Sequence, residues 1–226
     1  MYLNLKTWGL VALLGITLAP GCSDEAIDSD SDLPADTDDT DDTELPIDTS
    51  PPTVETVTVV STKDAMVRLF GSSGDGKNYG SVEHNSVKAW TNGGTLVLHR
   101  SFIEFDLSSI PSTANVSQAT LKLYADANST AYPDGHDRTG GANACQITQV
   151  SDEWQDSIIT WDIQPLTDSE TMLIIPETSD PFENKEVNVT EMVQNMVSFP
   201  EENHGFRLIL ANEDPYLTMV FASIDH

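Results

Sequence analysis

Apolar and polar side chains alternate with a period of two along most of the chain after residue 53. The pattern is clearest in residues 95–107 (TLVLHRSFIEFDL), where Ser101, Ile103, Phe105 and Leu107 share one face, and in 116–125 (VSQATLKLYA), where Ala119, Leu121 and Leu123 do. Strands that bury one face and expose the other produce this pattern. The same criterion predicts shorter strands at 54–60, 65–70, 145–150, 157–161, 171–175, 186–189, 206–211 and 217–222.

One segment has the spacing of a helix instead. In residues 190–197 (TEMVQNMV), two methionines and two valines recur three and four positions apart, and Thr190 is the predicted N-cap. About ten strands separated by Gly, Pro, Asn and Ser turns indicate two packed antiparallel sheets. We therefore predict an all-β sandwich with one short helix, in which residues 54–226 form the folded unit, here called the head domain.

The first 21 residues have the composition of a signal peptide. Lys6 supplies one positive charge, and residues 8–19 (WGLVALLGITLA) form an uncharged, mostly apolar run. Twelve residues are too few to cross a bilayer, which needs about 20, but they match a signal-peptide core. We therefore predict a signal peptide at 1–21.

Residues 19–22 (Ala-Pro-Gly-Cys) resemble the processing site of bacterial lipoproteins, in which the cysteine becomes the lipidated N-terminus. Two departures are Ala19, where leucine is usual, and Pro20. The resemblance implies lipidation of Cys22 and an anchor in the cell envelope. Ser23, directly after the cysteine, resembles the residue that permits sorting of lipoproteins to the outer membrane. Cleavage without lipidation, which would give a secreted protein, and an uncleaved signal anchor are the alternatives.

Residues 22–53 are predicted to be a disordered acidic tether. The stretch 23–53 holds 12 of the 37 acidic residues and no basic one, and Asp, Thr, Ser and Pro dominate it. Such a segment buries too little apolar surface to offset its ordering entropy, and its charges repel one another.

The head domain is also acidic. It carries the other 25 acidic residues and nine of the ten basic ones, because Lys6 lies outside it, for a net charge of −16. A field of this sign repels phosphates and argues against nucleic acid as a partner. Cys22 and Cys145 are the only cysteines, which excludes a disulfide-stapled scaffold, and Cys145 alternates inward as a buried thiol.

Eight short segments of the head domain occur in an order that resembles the disaggregatase-related DNRLRE domain, also classed as carbohydrate-binding module family 96. They are 63–68 (KDAMVR), 77–81 (KNYGS), 100–111 (RSFIEFDLSSIP), 119–124 (ATLKLY), 154–161 (WQDSIITW), 187–190 (VNVT), 203–206 (NHGF) and 221–223 (FAS). The resemblance implies a jelly-roll-like β-sandwich that binds polysaccharide, with alginate-type polymers as the ligand class.

Two features depart from that family. Members usually continue past the Phe-Ala-Ser segment into a further strand, so we expect either a fragment or one incomplete sheet edge here. Glu104 stands where the family often has a basic residue. Because alginate is polyanionic, the negative head domain would bind it only where basic residues cluster.

Four residues are the predicted ligand contacts. An aromatic ring can cover the apolar C–H face of a sugar, and Trp90 is the best placed, at a strand end before Gly93 and Gly94. Lys77, Lys88 and Arg100 are the predicted contacts for anionic sugars. Trp154 and Trp161, by contrast, are expected to have structural roles.

Catalysis and metal binding have weaker support in the sequence. Glu104 and Asp106 are spaced as a carboxylate pair about 7 Å apart, but alternating acids on an exposed strand are commoner, and no Gly-x-Ser-x-Gly motif occurs. A structural Ca²⁺ is an option, with Asp64 and the loop 126–142 as oxygen-rich segments, but no ligand set follows. We predict a non-catalytic, surface-anchored module that binds polysaccharide; the alternative is a structural or adhesion domain without a sugar site.

Overall fold

The computed structural model describes residues 1–8, 54–127, 129 and 135–226. Cys22 and the predicted tether lie outside these residues. None of the helices within the described ranges is long and apolar enough to cross a membrane. The strands are β1 (Tyr2–Trp8), β2 (Val54–Phe70), β3 (Ser73–Gly74), β4 (His84–Asn92), β5 (Thr95–Phe105), β6 (Asn115–Leu123), β7 (Cys145–Val150), β8 (Thr167–Ile175), β9 (Lys185–Asn188), β10 (Phe206–Leu210) and β11 (Leu217–Ala222); α1 is Thr190–Ser198, and short 3₁₀ helices span Trp161–Ile163 and Pro200–Glu202.

The strands form two antiparallel sheets that share β2. In the first sheet the order is β2-β1-β6-β9, and in the second β8-β7-β10-β5-β2, with β4 and β11 attached through β5 and β3 paired with β2. The first seven residues of β2 pair with β1, and the rest of this 17-residue strand pairs with β5. This arrangement confirms the predicted all-β sandwich with one helix.

One main hydrophobic core fills the space between the sheets. Phe105 and Phe206 meet edge to face in it, with ring centroids 6.3 Å apart. Helix α1 packs onto the same core with the four apolar residues that its spacing predicts, Met192, Val193, Met196 and Val197. Their burial removes apolar surface from water, at about 25 cal/mol per Å², and this burial fixes the helix across one end of the sandwich.

The predicted N-cap of the helix is wrong by one residue. Val189 is the N-cap and makes no side-chain capping bond, whereas Thr190 already has helical backbone angles. The Thr190 hydroxyl instead accepts a hydrogen bond from the backbone N–H of Ala119 at 2.9 Å and donates one to Asn188 at 2.6 Å. It therefore ties the helix start to strand β6.

The predicted strand at 157–161 is also wrong. Residues 156–158 form a turn, in which the N–H groups of Ile158 and Ile159 both donate to the Gln155 carbonyl, and a 3₁₀ helix follows. The side-chain amide of Asn78 captures the carbonyls of Asp156 and Ile159 at 2.6 and 2.8 Å. With these carbonyls bound to a side chain, the segment forms no ladder with a neighbouring strand.

Three strands are absent from the predicted ranges: β1, β3 and β4. β3 has only two residues, and β4, of which the sequence indicated only an end at Trp90, mixes polar with apolar residues, so that its pairing with β5 and β11 defines it. β1 comprises residues that the sequence analysis assigns to the signal peptide. It lies between β2 and β6, with Leu3 and Leu5 fully buried in the core. The signal peptide itself stays a prediction.

Candidate functional site

A tight hairpin between β4 and β5 builds the candidate site. Gly93 and Gly94 form its two-residue turn with backbone φ angles of 57° and 84°, and Asn92 pairs with Thr95 across it. Two successive positive φ angles match the right-handed twist of paired strands and favour glycine at both positions. On β4, Val87 and Ala89 point into the core, so the residues between and after them, Lys88 and Trp90, point to the other face.

The register of three neighbouring strands aligns basic side chains in one row. Lys88 of β4 pairs with His99 of β5, and His99 pairs with Arg68 of β2. The next row contains Trp90 and Phe70, each paired with Val97. Adjacent strands are about 4.8 Å apart, so the two outer cations of the row lie on strands about 10 Å apart.

These rows form one wall of an open cavity of about 510 Å³. Three aromatic side chains line it, Phe70, Tyr79 and Trp90, together with the basic side chains of Arg68 and Lys88. None of the described residues that line the cavity is acidic, although the head domain as a whole is strongly so. Its remaining lining residues are Met66, Val82, His84, Thr91, Asn92, Gly93, Val97 and His99.

Trp90 is partly exposed at this cavity and is held on edge by Tyr216. The two ring centroids are 5.1 Å apart at 87°, and the Tyr216 hydroxyl hydrogen-bonds to Thr91 Oγ1 at 3.1 Å. The backbone N–H of Tyr216 donates to the Ala89 carbonyl at 2.8 Å. Lys88 Nζ lies 5.7 Å from the centroid of the indole, in the range of a cation–π contact.

Arg68 is oriented by a carboxylate and a phenol. It binds Asp75 through Nε at 2.7 Å, Tyr79 donates its hydroxyl proton to the same carboxylate, and the guanidinium lies 5.0 Å from the Tyr79 ring centroid. Partial burial raises the pKa of Asp75, but hydrogen bonds from Tyr79, the Lys77 N–H and Arg68 outweigh it and leave that pKa below its usual value. Asp75 therefore stays ionised and holds Arg68 in place.

Burial sets the charge states of the other basic groups. Burial, with a smaller contribution from the positive charge of Arg68, lowers the pKa of Lys88 to about 8. Burial, together with the charges of Lys88 and Arg68, lowers the pKa of His99 to about 3, so this ring is neutral at pH 7. His99 Nδ1 bonds to Ser86 Oγ at 2.8 Å, and its Nε2 has no hydrogen-bond partner among the described residues.

The four predicted contact residues therefore separate into two groups. Trp90 and Lys88 line the cavity, whereas Lys77 lies exposed on the loop after β3, outside the cavity lining. Arg100 follows His99 in β5 and so points to the opposite face of the sheet. There it makes a bidentate ion pair with Glu213 at 3.0 and 3.1 Å and lies 4.5 Å from the centroid of Trp161.

Three lining residues with suitable chemistry escaped the sequence analysis: Arg68, Tyr79 and His99. Each belongs to a segment that reads locally as framework, and Tyr79 pairs with Met66 in an isolated bridge that follows no sequence periodicity. The available sign was the alternation of β2, which places Arg68 between Met66 and Phe70 on one face. Assigning that face to a site required the strand register.

The remaining candidates for chemistry are held in structural contacts. Glu104 pairs with Lys63 at 2.7 Å, and Asp106 accepts hydrogen bonds from Ser108 that lower its pKa. Cys145 is fully buried, and burial raises the pKa of its thiol. Trp154 is buried and donates its indole N–H to the His204 carbonyl at 2.9 Å, which confirms its structural role.

Asp64, a candidate calcium ligand in the sequence, already accepts hydrogen bonds on both carboxylate oxygens. It is buried, and the donors are Ser223 Oγ and the Ile224 N–H, at 2.9 and 2.8 Å. Within the described ranges, no cluster of three or more His, Cys, Asp or Glu side chains could hold a metal ion. Residues 128 and 130–134 of the oxygen-rich loop 126–142 lie outside those ranges, so a structural Ca²⁺ stays an untested option.

Comparison with known proteins identifies the family of the head domain. A search of curated proteins finds no match. Residues 55–225 match the sequence profile of Carbohydrate-binding module family 96, which spans nearly the whole head domain and most of the chain. The chain therefore belongs to carbohydrate-binding module family 96.

Proposed function

We propose that the head domain binds an anionic, uronate-containing polysaccharide of the alginate type in the cavity beside Trp90, without cleaving it. The observation that carries this proposal is a cavity of about 510 Å³ that is lined by Trp90, Arg68 and Lys88 and by no described acidic residue, in a domain of net charge −16. Membership of the family supports a polysaccharide as the ligand, and the two cations in the cavity lining support an anionic one.

Each lining group has a counterpart on a uronate residue. The indole of Trp90 covers the apolar C–H face of a pyranose ring, and Tyr216 behind it keeps the ring orientation fixed. Lys88 donates a charge-assisted hydrogen bond to a sugar carboxylate. Arg68, whose charge is balanced by Asp75, directs its remaining N–H groups to a neighbouring sugar of the same chain, because the two strands lie about 10 Å apart. Asn92, Thr91 and the neutral His99 ring offer partners for hydroxyls.

Affinity electrophoresis of the full chain tests the ligand. Native gels containing alginate or polygalacturonate, and gels containing a neutral glucan, are run with a non-binding acidic protein as the mobility control. We expect retardation in the polyuronate gels only. Retardation in none of them supports the alternative, a structural or adhesion domain without a sugar site, and release of reducing ends from the polymer contradicts a non-catalytic role.

We also propose that lipid on Cys22 anchors the module in the bacterial envelope, with the acidic segment 22–53 as a spacer. The sequence around Cys22 and the charge of the spacer support this proposal. Retention at a surface lets several shallow contacts to one polymer act together, since the second binding event becomes effectively intramolecular. Expression in a bacterial host with labelled palmitate should label the wild type in the membrane fraction, and Cys22→Ser should be unlabelled and soluble. An unlabelled wild type contradicts the anchor.

A further inference from the structure

Strand β1 is an interior strand of the first sheet, although it comes from the N-terminal end of the sequence and the other strands all follow residue 53. All seven residues Tyr2–Trp8 pair with 54–60 of β2 on one side and with 115–122 of β6 on the other. Within the described residues, the first half of β2 has no other strand partner, and it does not pair directly with β6. Without β1, the sheet would contain a gap one strand wide.

The side chains of β1 complete the core at that gap. Leu3 pairs with Val59 and Leu121, and Leu5 pairs with Val57 and Ala119, and both leucines have 0% exposure. The alternate side chains of β1 point outward, with Tyr2 and Lys6 exposed. We call the space between 54–60 and 115–122 the β1 slot. It accepts an extended segment with apolar residues at alternate positions.

The residues that fill the slot are also those that the predicted signal peptide would remove. We propose that the β1 slot is a strand-acceptor groove, filled by Met1–Trp8 in the unprocessed chain and, once cleavage ahead of Cys22 removes them, by an extended segment of a partner polypeptide. This inference rests on the proposed lipoprotein processing and is independent of the sugar site. Strand addition of this kind gains affinity from main-chain hydrogen bonds and specificity from alternate side-chain pockets.

The slot and its occupant define the chemistry of the partner. The segment needs about seven extended residues, with aliphatic side chains at the positions of Leu3 and Leu5. It should also lack acidic residues, because the head domain carries a net charge of −16, and the occupant in this chain has one lysine and no acid. If no segment filled the slot, the unpaired edges of 54–60 and 115–122 would promote aggregation, which is a further reason to expect an occupant.

A cleavable full chain tests the groove. A specific protease site is placed between Asp39 and Thr40, the chain is cut, and a fluorescent peptide of residues 1–8 (MYLNLKTW) is added while anisotropy is recorded. The labelled peptide is also offered during refolding of the cut chain from urea, which covers slow release of the original strand. We expect binding to the cut chain and none to the uncut chain, whose own strand fills the slot at high effective concentration.

Two peptides of equal charge provide the matched control. Leu5→Asp places a carboxylate in the core and should weaken binding by about 100-fold or more, whereas Asn4→Asp points outward and should weaken it by less than about tenfold. Absence of peptide binding to the cut chain, or equal weakening by the two substitutions, overturns the groove. Mass spectrometry of the membrane-bound protein tests whether processing empties the β1 slot. An N-terminus at Cys22 supports the proposal, and retention of residues 1–8 overturns it.

Discussion

Two cation–aromatic pairs lie on opposite faces of the sheet around β5, and they differ in what surrounds them. Lys88 and Trp90 line an open cavity without acidic residues in its described lining, and Arg68 lies in the same row of side chains. Arg100 and Trp161 pack more closely, at 4.5 Å, but Glu213 neutralises the guanidinium through two hydrogen bonds. The first pair has the surroundings of a binding site, and the second those of a structural contact.

The comparison shows that residue type alone does not identify a ligand contact. Both pairs combine a basic side chain with a tryptophan, and both cations were predicted ligand contacts, although only one of the two rings, Trp90, was. A cation that already has a carboxylate partner gains little from a second anion, because the partner balances its charge and occupies its N–H donors. Arg68 is likewise paired, with Asp75 outside the cavity lining. The cavity and its lack of acidic lining residues therefore separate the two regions.

The largest expected effect comes from exchanging the two tryptophans for alanine. Trp90→Ala removes the platform for a sugar ring and should weaken binding to polyuronate by about 30-fold, which corresponds to about 2 kcal/mol for a central aromatic contact. Trp161→Ala is the matched control and should leave the dissociation constant within about threefold. Affinity electrophoresis measures binding, and urea unfolding checks that both variants fold. Equal losses in the two variants would remove the distinction between the regions.

A smaller effect is expected from the two cations. Lys88→Gln should weaken binding to polyuronate by about tenfold, since one charge-assisted hydrogen bond is lost. Arg100→Gln should leave binding unchanged and lower the free energy of unfolding by about 1 kcal/mol, because it breaks a half-buried ion pair. Titration calorimetry and urea unfolding give the two quantities. Weaker binding by Arg100→Gln alone would place the ligand on the other face.

The smallest effect is a dependence on pH. The pKa of Lys88 is lowered to about 8, so its ammonium is mostly charged at pH 7 and mostly neutral at pH 9. Binding to polyuronate should therefore weaken as the pH rises from 7 to 9, by at most the roughly tenfold loss expected for removing the Lys88 charge. Lys88→Arg stays charged over this range and should show a flat profile. A wild-type profile as flat as that of the variant would exclude Lys88 from the contact.

Much of the fold follows from alternation in the sequence. β5, β6, β7 and β11 begin and end within two residues of their predicted bounds, and the apolar face of α1 is the predicted one. Residues 157–161 were misassigned because Ile159 is buried in the cluster of Ala65, Phe102 and Trp154 while Ile158 is exposed, so that a turn gives the in-and-out pattern of a strand. Periodicity alone cannot separate a buried turn from a short strand.

The site was only partly accessible from the sequence. Trp90 stood out because an aromatic residue before two glycines marks a hairpin end, and Lys88 follows from the alternation of β4. Arg68 and His99 come from other strands, and only the register of β2, β5 and β4 places them in one row with Lys88. Long-range strand pairing of this kind leaves no local pattern.

The sequence by itself determined the class of fold, the family and the charge of each region, because these depend on composition, on local alternation and on the order of short motifs. The tertiary structure decided which cations share a cavity, that Arg68 and Arg100 each pair with a carboxylate, and that Met1–Trp8 can complete a sheet. These properties depend on distances between residues that are remote in the chain. Only the register and packing of the strands fix such distances.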